Sequence, residues 1–263
     1  MYSFDFARPT TVADAVAALG QEDAQALGGG QTLIPTLKQR LASPSTLVSL
    51  SAIEEMKGVS ADGGTLTIGG GTTHATVAAE AGAYPALAEL ASNIGDPAVR
   101  NRGTIGGSLA NNDPSACYPS AALGTGATIV TNTREIAADD YFQGMFATAL
   151  EEGEIVTAVR FPIPEKAAYI KFMQPASRFA LTGVFVSKGA DGVRVAVTGA
   201  SNDGVFRWTE AEEALNGNFS ADAVEGLAAP SGDDMINDLH GSGAYRAHLV
   251  KVLTKRAVAK ANG

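Results

Sequence analysis

The chain has 263 residues, which is long enough for two compact units with a large core. Its net charge is −9, from 19 Lys and Arg against 28 Asp and Glu, and it has no basic cluster, which argues against a nucleic-acid partner. The sequence has no run of 18 apolar residues, so no transmembrane helix is expected, and the start of the chain lacks a signal-peptide pattern.

Cysteine and histidine are scarce. The single cysteine excludes an internal disulfide and predicts a cytoplasmic protein. One Cys and three scattered His (His74, His240 and His248) are too few for the usual four-ligand zinc site or for an iron–sulfur cluster. No metal site is predicted, and any redox metal is expected on another chain.

The first 54 residues predict strands around a helix and a glycine loop. The predicted strands cover 2–6, 24–27 and 47–50, and a helix covers 12–19, where apolar residues recur at helical spacing. Gly28, Gly29 and Gly30 follow the second strand and lead into a helix over 33–38. A strand, a glycine loop and a helix in this order direct backbone N–H groups at an anion.

A second glycine run lies at 69–71. It follows a predicted hairpin whose turn is Asp62-Gly63-Gly64, and it precedes His74 and a helix over 75–81. This run is either a second cofactor wall or a strand end before a capped helix. Another helix is predicted over 87–94.

The most distinctive segment is residues 100–114. It contains three glycines, the polar residues Thr104, Ser108, Asn111 and Asn112, and a proline. Such a segment has low propensity for both helix and strand, so we expect an irregular loop around a phosphate-bearing cofactor. The alternative is a tight connection between packed elements.

The remaining chain predicts a domain boundary at Pro162 and Pro164. Before it, we expect a helix over 119–123 and strands over 128–131, 134–136 and 155–161. After it, strands over 168–173, 179–187 and 193–199 precede helices over 208–215, 221–227 and 245–261. The sequence therefore predicts an α+β protein with units at 1–163 (subdomains 1–54 and 55–163) and 164–263.

Several familiar chemical motifs are missing. The sequence has no G-x-G-x-x-G, no phosphate-binding P-loop, no H-E-x-x-H and no G-x-S-x-G. No protein nucleophile or general base is evident, so no catalytic residue is assigned. This fits a protein whose reactive atom belongs to a cofactor.

Four segments in the same order resemble the FAD-binding medium subunits of molybdenum hydroxylases, the family of carbon monoxide dehydrogenase and xanthine dehydrogenase flavoproteins. They cover nearly the whole chain and are residues 28–35, 100–114, 150–162 and 245–257. The resemblance implies a two-subdomain FAD-binding unit of the vanillyl-alcohol-oxidase (PCMH-like) type. A C-terminal domain with a three-stranded antiparallel sheet and helices follows it.

The resemblance also implies which residues hold FAD. The first glycine loop would wrap the pyrophosphate and adjoining sugar with its backbone N–H groups. Residues 104–108 would face the same diphosphate from the other side, as a second set of backbone N–H groups. Asp113 would accept hydrogen bonds from hydroxyl groups of the flavin's polar chain, and Val156 and Lys171 match positions near the cofactor. The full set is Leu27, Gly28, Gly29, Gly30, Gln31, Thr32, Leu33, Ile34, Thr104, Ile105, Gly106, Gly107, Ser108, Asp113, Val156 and Lys171.

Three residues are weighed separately. Cys117 stands where family members commonly carry aspartate, and we interpret it as a small buried residue. Phe179 is either an aromatic neighbour of the flavin or ordinary strand core. His74 is interpreted as a structural residue, because nothing in the family calls for a covalent flavin link.

The resemblance implies an oxidoreductase subunit in a heterotrimer, present as a dimer of heterotrimers. A large partner would carry molybdopterin and a small partner two [2Fe–2S] clusters, and FAD on this chain would pass electrons to an external acceptor. One alternative is a free-standing FAD-dependent oxidase or reductase. Another is a non-catalytic nucleotide-binding assembly protein.

Overall fold

Parallel strands form the first sheet of the computed structural model, which describes residues 1–263. The elements of this first unit are β1 (Asp5–Ala7), α1 (Val12–Leu19), β2 (Ala24–Leu27), α2 (Leu33–Lys38) and β3 (Thr46–Ser49). The strand order is β1-β3-β2, and both pairings are parallel. α1 begins where the Thr11 hydroxyl accepts a bond from Asp14 N, and it buries Ala15 and Leu19 on one face. The predicted strand, glycine loop and helix are all present in this unit.

An antiparallel sheet with helices forms the second unit. Its elements are β4 (Val59–Asp62), β5 (Thr65–Gly69), α3 (His74–Glu80), α4 (Pro85–Ser92), α5 (Pro97–Arg100), α6 (Ile105–Asn111), α7 (Tyr118–Thr125), β6 (Thr128–Thr131), β7 (Glu135–Ala137), α8 (Ala138–Tyr141), β8 (Phe142–Gly144), β9 (Ala147–Thr148) and β10 (Val156–Pro162). Five strands form one sheet in the order β4-β5-β10-β6-β7. The β4–β5 turn places Gly63 and Gly64 at φ +54° and +82°, as a two-residue hairpin loop requires.

The C-terminal region, residues 164–263, contains a second antiparallel sheet and three helices. Its elements are β11 (Lys166–Met173), β12 (Ala180–Gly189), β13 (Gly192–Ser201), β14 (Gly204–Arg207), α9 (Thr209–Gly217), α10 (Ala221–Glu225) and α11 (Gly243–Ala261). The strand order is β11-β12-β13-β14, so the expectation of a three-stranded sheet is wrong. The sequence does not indicate β14, because its four residues are too few to display an alternating pattern.

The two parts of the chain share a core. Tyr169 and Phe185 of the C-terminal sheet pack in the same apolar cluster as α7. Arg194 reaches back to Leu123 O and to Asp139, and the Ser187 hydroxyl donates to Gly124 O. The C-terminal region is therefore packed directly against the second unit. No helix has both the length and the apolar character needed to cross a membrane.

Candidate cofactor site

A large cavity lies between the parallel first unit and the antiparallel second unit. Its volume is about 900 Å³, which is large enough for a dinucleotide-sized ligand. Its lining comes from segments that are distant in sequence, and no residue of the C-terminal region contributes. These segments are 25–33, 50–51, 56–58, 70–74, 101–104, 106–108, 110–111 and 154–156, with Thr76, Glu80, Asp113 and Ala116.

The first glycine loop presents a row of free amides to this cavity. The six successive N–H groups from Gly28 to Leu33 donate to no acceptor within the protein, and the first internal bond is from Ile34 N to Gly30 O at 3.1 Å. Gly30 has φ +72°, which redirects the chain within the loop. A run of unpaired amides of this kind binds anions, and a diphosphate supplies the acceptor oxygens it requires.

Glycines let three backbone segments meet beside the cavity. A Cβ on Gly29 would lie well inside van der Waals contact of Arg102 O and 2.5 Å from Gly103 Cα. A Cβ on Gly70 would strike Val156 O, and one on Gly106 would lie 2.6 Å from Gly70 O. The glycine runs are therefore packed against each other and against the start of β10. The strand end before a capped helix is confirmed, because β5 ends at Gly69 and the Thr73 side chain caps α3. Gly70 and Gly71 also line the cavity, and their role as a cofactor wall stays a prediction.

The segment 100–114 differs from the predicted loop, because residues 105–111 form α6. Thr104 begins this helix by accepting a hydrogen bond from Gly107 N at 3.2 Å. Ile105 N donates to Thr72 O and Gly106 N to Gly70 O, at 3.1 and 2.9 Å. The expectation of a second row of free amides facing the ligand is therefore wrong. Thr104, Gly106, Gly107 and Ser108 nevertheless line the cavity wall.

Asp113 and Val156 also line the cavity. One Asp113 carboxylate oxygen accepts a bond from Ser115 N at 2.8 Å, and the other oxygen receives no donor from the protein. Val156, at the start of β10, is buried. The free carboxylate oxygen is available to accept a bond from a ligand hydroxyl.

Glu154 anchors the segment just before Val156. Its carboxylate accepts bonds from Arg134, from the Thr131 and Thr133 hydroxyls and from Glu151 N. The Arg134 guanidinium, helped by the two hydroxyls and the amide, holds the pKa of this carboxyl well below its usual range. Both carboxylate oxygens of Glu154 accept hydrogen bonds from within the protein, so Glu154 acts as a structural anchor of the cavity wall.

His74 lies in the cavity wall with its side chain almost enclosed. It is 5% exposed, its Nδ1 has no hydrogen-bond partner, and its ring centroid lies 5.3 Å from that of Tyr118. Burial, together with the nearby Arg100 charge, lowers the pKa of His74 to about 4. The imidazole is therefore neutral near pH 7.

Several residues predicted for the site lie outside the cavity lining. Ile34 packs beneath Gly30, and Ile105 is fully buried in the core. Lys171 Nζ donates to Asn93 O at 2.7 Å and lies 3.6 Å from the buried Cys117 Sγ. Phe179 packs against the C-terminal core, with its ring 5.4 Å from that of His240. Leu27, Gly28, Gly29, Gly30, Gln31, Thr32 and Leu33 all line the cavity.

Arg102 was not among the predicted ligands. It is exposed, lines the cavity and forms no ion pair, so its guanidinium is available to a ligand's negative charge. Its position between two glycine-rich segments was a signal in the sequence. The prediction for residues 100–114 considered the backbone amides and not the Arg102 guanidinium.

Comparison with known proteins agrees with this geometry. Residues 2–164 match the family model described as the FAD binding domain in molybdopterin dehydrogenase. The chain is 34% identical to the carbon monoxide dehydrogenase medium chain of Afipia carboxidovorans, over 98% of this chain and 96% of that one. It is also 34% identical to the nicotine 6-hydroxylase medium subunit of Paenarthrobacter nicotinovorans, over 97% and 96% of the two chains.

A solved structure of carbon monoxide dehydrogenase from Hydrogenophaga pseudoflava, which lacks the Mo-pyranopterin moiety, has the same fold. The TM-score is 0.88 at 33% identity, covering 99% of this chain and 97% of that one. The free amides, the glycine packing and the cavity volume fit the FAD that the family model describes. The chain belongs to the FAD-binding medium subunits of molybdenum hydroxylases, and it is the FAD-carrying oxidoreductase subunit of a molybdopterin-containing dehydrogenase.

Proposed function

We propose that this chain passes electrons from the [2Fe–2S] clusters of a small partner subunit, through its own FAD, to an external acceptor. The observation that carries this proposal is the alignment to the carbon monoxide dehydrogenase medium chain along almost the full length of both proteins. The free amide row of the first glycine loop supports it, because it supplies the diphosphate site that such a subunit needs.

The proposed FAD contacts combine backbone and side-chain groups. The amides from Gly28 to Leu33 hold the diphosphate, and Arg102 balances its charge. Asp113 accepts a hydrogen bond from a cofactor hydroxyl. The cavity wall opposite the first glycine loop is formed by Thr104, Gly106, Gly107 and Ser108. Assignment of residues 1–163 to the vanillyl-alcohol-oxidase type of fold belongs to the same proposal, supported by a cavity between a parallel and an antiparallel unit.

This chain's own residues bind and orient the cofactor. Bound FAD supplies the ability to accept electrons singly and release them in pairs. The close contact of Gly29 with Arg102 O and Gly103 Cα holds the first unit against the second, and the contacts of Gly70 and Gly106 pack the second unit's side of the cavity. The buried wall, which includes the neutral His74, excludes water from that side of the cavity. No residue of this chain is assigned a proton-transfer or nucleophilic role.

The proposed complex is a heterotrimer with a large molybdopterin subunit and a small iron–sulfur subunit, assembled as a dimer of heterotrimers. The relatives' designation as medium chains supports two further chains of different size. Their names span carbon monoxide dehydrogenase, nicotine 6-hydroxylase and caffeine dehydrogenase. We therefore propose that the partner with the molybdenum centre, and not this chain, selects the substrate.

Native purification tests the proposal. The purified material is weighed chain by chain, its acid-released cofactor is identified, and a reduced sample is examined by electron paramagnetic resonance. We expect FAD, two further chains and iron–sulfur signals. FAD on an isolated chain that oxidises a substrate would instead identify a free-standing oxidase. A chain that takes up no FAD would contradict the cofactor site itself.

A further inference from the structure

One part of the cavity lining is held at both ends by hydrogen bonds from segments distant in sequence. Asp113 and Ala116 line the cavity, and the chain between them is irregular. On one side of it, buried Asn112 donates from Nδ2 to Gly144 O and Ala147 O, at 2.9 and 2.8 Å. The segment 113–116 is therefore anchored at its start by the β8–β9 hairpin.

The C-terminal sheet anchors the same segment at its other end. The Thr198 hydroxyl lies 2.9 Å from Pro114 O and 2.6 Å from Ala116 O, and it shares its hydrogen between them. Gly199 N donates to Pro114 O at 2.6 Å. Thr198 is fully buried, so its hydroxyl has no water with which to replace these bonds.

A bulge in β13 makes these contacts possible. The pairing of β13 with β14 shifts register between Val197 and Ser201, and Gly199 takes φ +79°. A Cβ on Gly199 would strike Ala180 O. Bulges of this kind redirect a short stretch of strand, and here the redirected residues face residues 114–116.

Arg246 of α11 holds the bulge from behind. Its Nη1 donates to Gly199 O at 2.7 Å and to Leu181 O, and its Nη2 pairs with both oxygens of Asp238 at 2.8 and 2.9 Å. Arg246 is 1% exposed. The bonds thus run from the terminal helix through Gly199 to Pro114, beside the lining residue Asp113.

We infer that Thr198 is a positioning residue of the cofactor site, through which the C-terminal region sets the affinity of the cavity for FAD. It touches no lining space itself and acts by fixing the Pro114 and Ala116 carbonyls, and hence Asp113. The inference rests on the proposed placement of FAD against Asp113. By thermodynamic reciprocity, bound FAD must in turn stabilise the Thr198 and Gly199 contacts.

The test uses the full chain freed of cofactor and titrated with FAD. Thr198→Val keeps the side-chain shape but removes the hydroxyl, and we expect FAD to bind about tenfold more weakly. Thr198→Ser restores the hydroxyl and should recover most of the wild-type affinity. Thr182→Val is the matched control, because Thr182 is equally buried on β12 and its hydroxyl bonds only to the adjacent Leu181 O.

Amide hydrogen exchange on the wild-type chain gives a second readout that needs no variant. FAD should slow exchange at Gly199, while Val193 and Val195 of the same strand keep their rates because their amides bond to Asn216 and Glu212. Thr198→Val binding FAD within about twofold of wild type, or unchanged exchange at Gly199 with FAD bound, would overturn the inference. A wild-type chain that binds no FAD would instead contradict the proposed cofactor site.

Discussion

The buried His74 of the cavity wall makes the stability of the fold depend on pH. Its imidazole is buried, and Arg100 adds a nearby positive charge, so the folded protein disfavours the protonated ring. In the unfolded chain the same group binds a proton near pH 6.5. The unfolded state therefore holds more protons between pH 6.5 and 4, and stability rises with pH in that range.

Replacing His74 should flatten this dependence. The neutral imidazole contributes its full stabilisation above about pH 6.5, and roughly 3 kcal/mol is lost as the pH falls to about 4. We expect His74→Gln to lose less stability than wild type between pH 7 and 4.5, measured as free energies of denaturant unfolding. Equal losses in the two proteins would contradict a buried neutral His74.

The helix α6 shows where local sequence preference misleads. Its two glycines and flanking polar residues indicated a loop, because glycine is a poor helix former. Tertiary bonds decide otherwise: Thr104 caps the first turn, and Thr72 and Gly70 accept the next two amides. These acceptors come from another glycine run, so no local pattern could have indicated them.

Two helix caps, one inside and one outside the cavity lining, distinguish an effect on stability from an effect on cofactor affinity. Thr104→Val removes the acceptor for Gly107 N and should lower the free energy of unfolding by about 1 kcal/mol. It should also weaken FAD binding, because Thr104 lines the cavity. Thr11→Val removes the equivalent cap of α1, outside the cavity lining, and should cost similar stability without changing FAD affinity. Equal FAD affinities in both variants would remove Thr104 from the site.

Hairpins and amphipathic helices were the predictable elements. The β4–β5 turn was evident from Asp62-Gly63-Gly64, and α1 from its apolar spacing, because the necessary information is local. The short strands β8, β9 and β14 were missed. They have two to four residues each, and pairing partners brought by the fold decide their conformation.

The two parts of the molecule are joined by packing and by ion pairs. Asp139 binds both Arg194 and Arg207, and Lys260 of α11 pairs with Glu89 of α4. Shared core residues such as Phe185 add apolar burial to this contact. The sequence placed a boundary near Pro162, but it did not indicate that the two sides pack together.

Arg246 should be the most costly single charge to remove from the C-terminal region. Arg246→Met leaves the buried Leu181 and Gly199 carbonyls without this donor and Asp238 without its partner, at a cost of about 3 kcal/mol in unfolding free energy. Arg256→Met, on the same helix but exposed and free of ion pairs, should have little effect. Similar unfolding midpoints for the two variants would refute this role.

At the level of the whole molecule, the sequence located the cavity better than it located the contacts. Glycine runs marked the segments that meet, because close backbone approach excludes side chains. The resemblance also suggested Lys171 and Phe179, which lie outside the lining, while Arg102 was overlooked. Which side chains face a cavity depends on how distant segments pack, and that is not encoded in any one motif.

The central claim is that the cavity beside the first glycine loop binds FAD through its diphosphate. The most direct test is titration of the full chain with FAD, for wild type, Gly107→Asp and Gly82→Asp. Gly107 lines the cavity wall, whereas Gly82 lies in an open turn with nothing within 4 Å of an added Cβ. We predict tight binding by wild type and Gly82→Asp, and loss of binding by a folded Gly107→Asp, because its carboxylate repels the diphosphate. Normal FAD binding by Gly107→Asp would contradict the placement of FAD in this cavity.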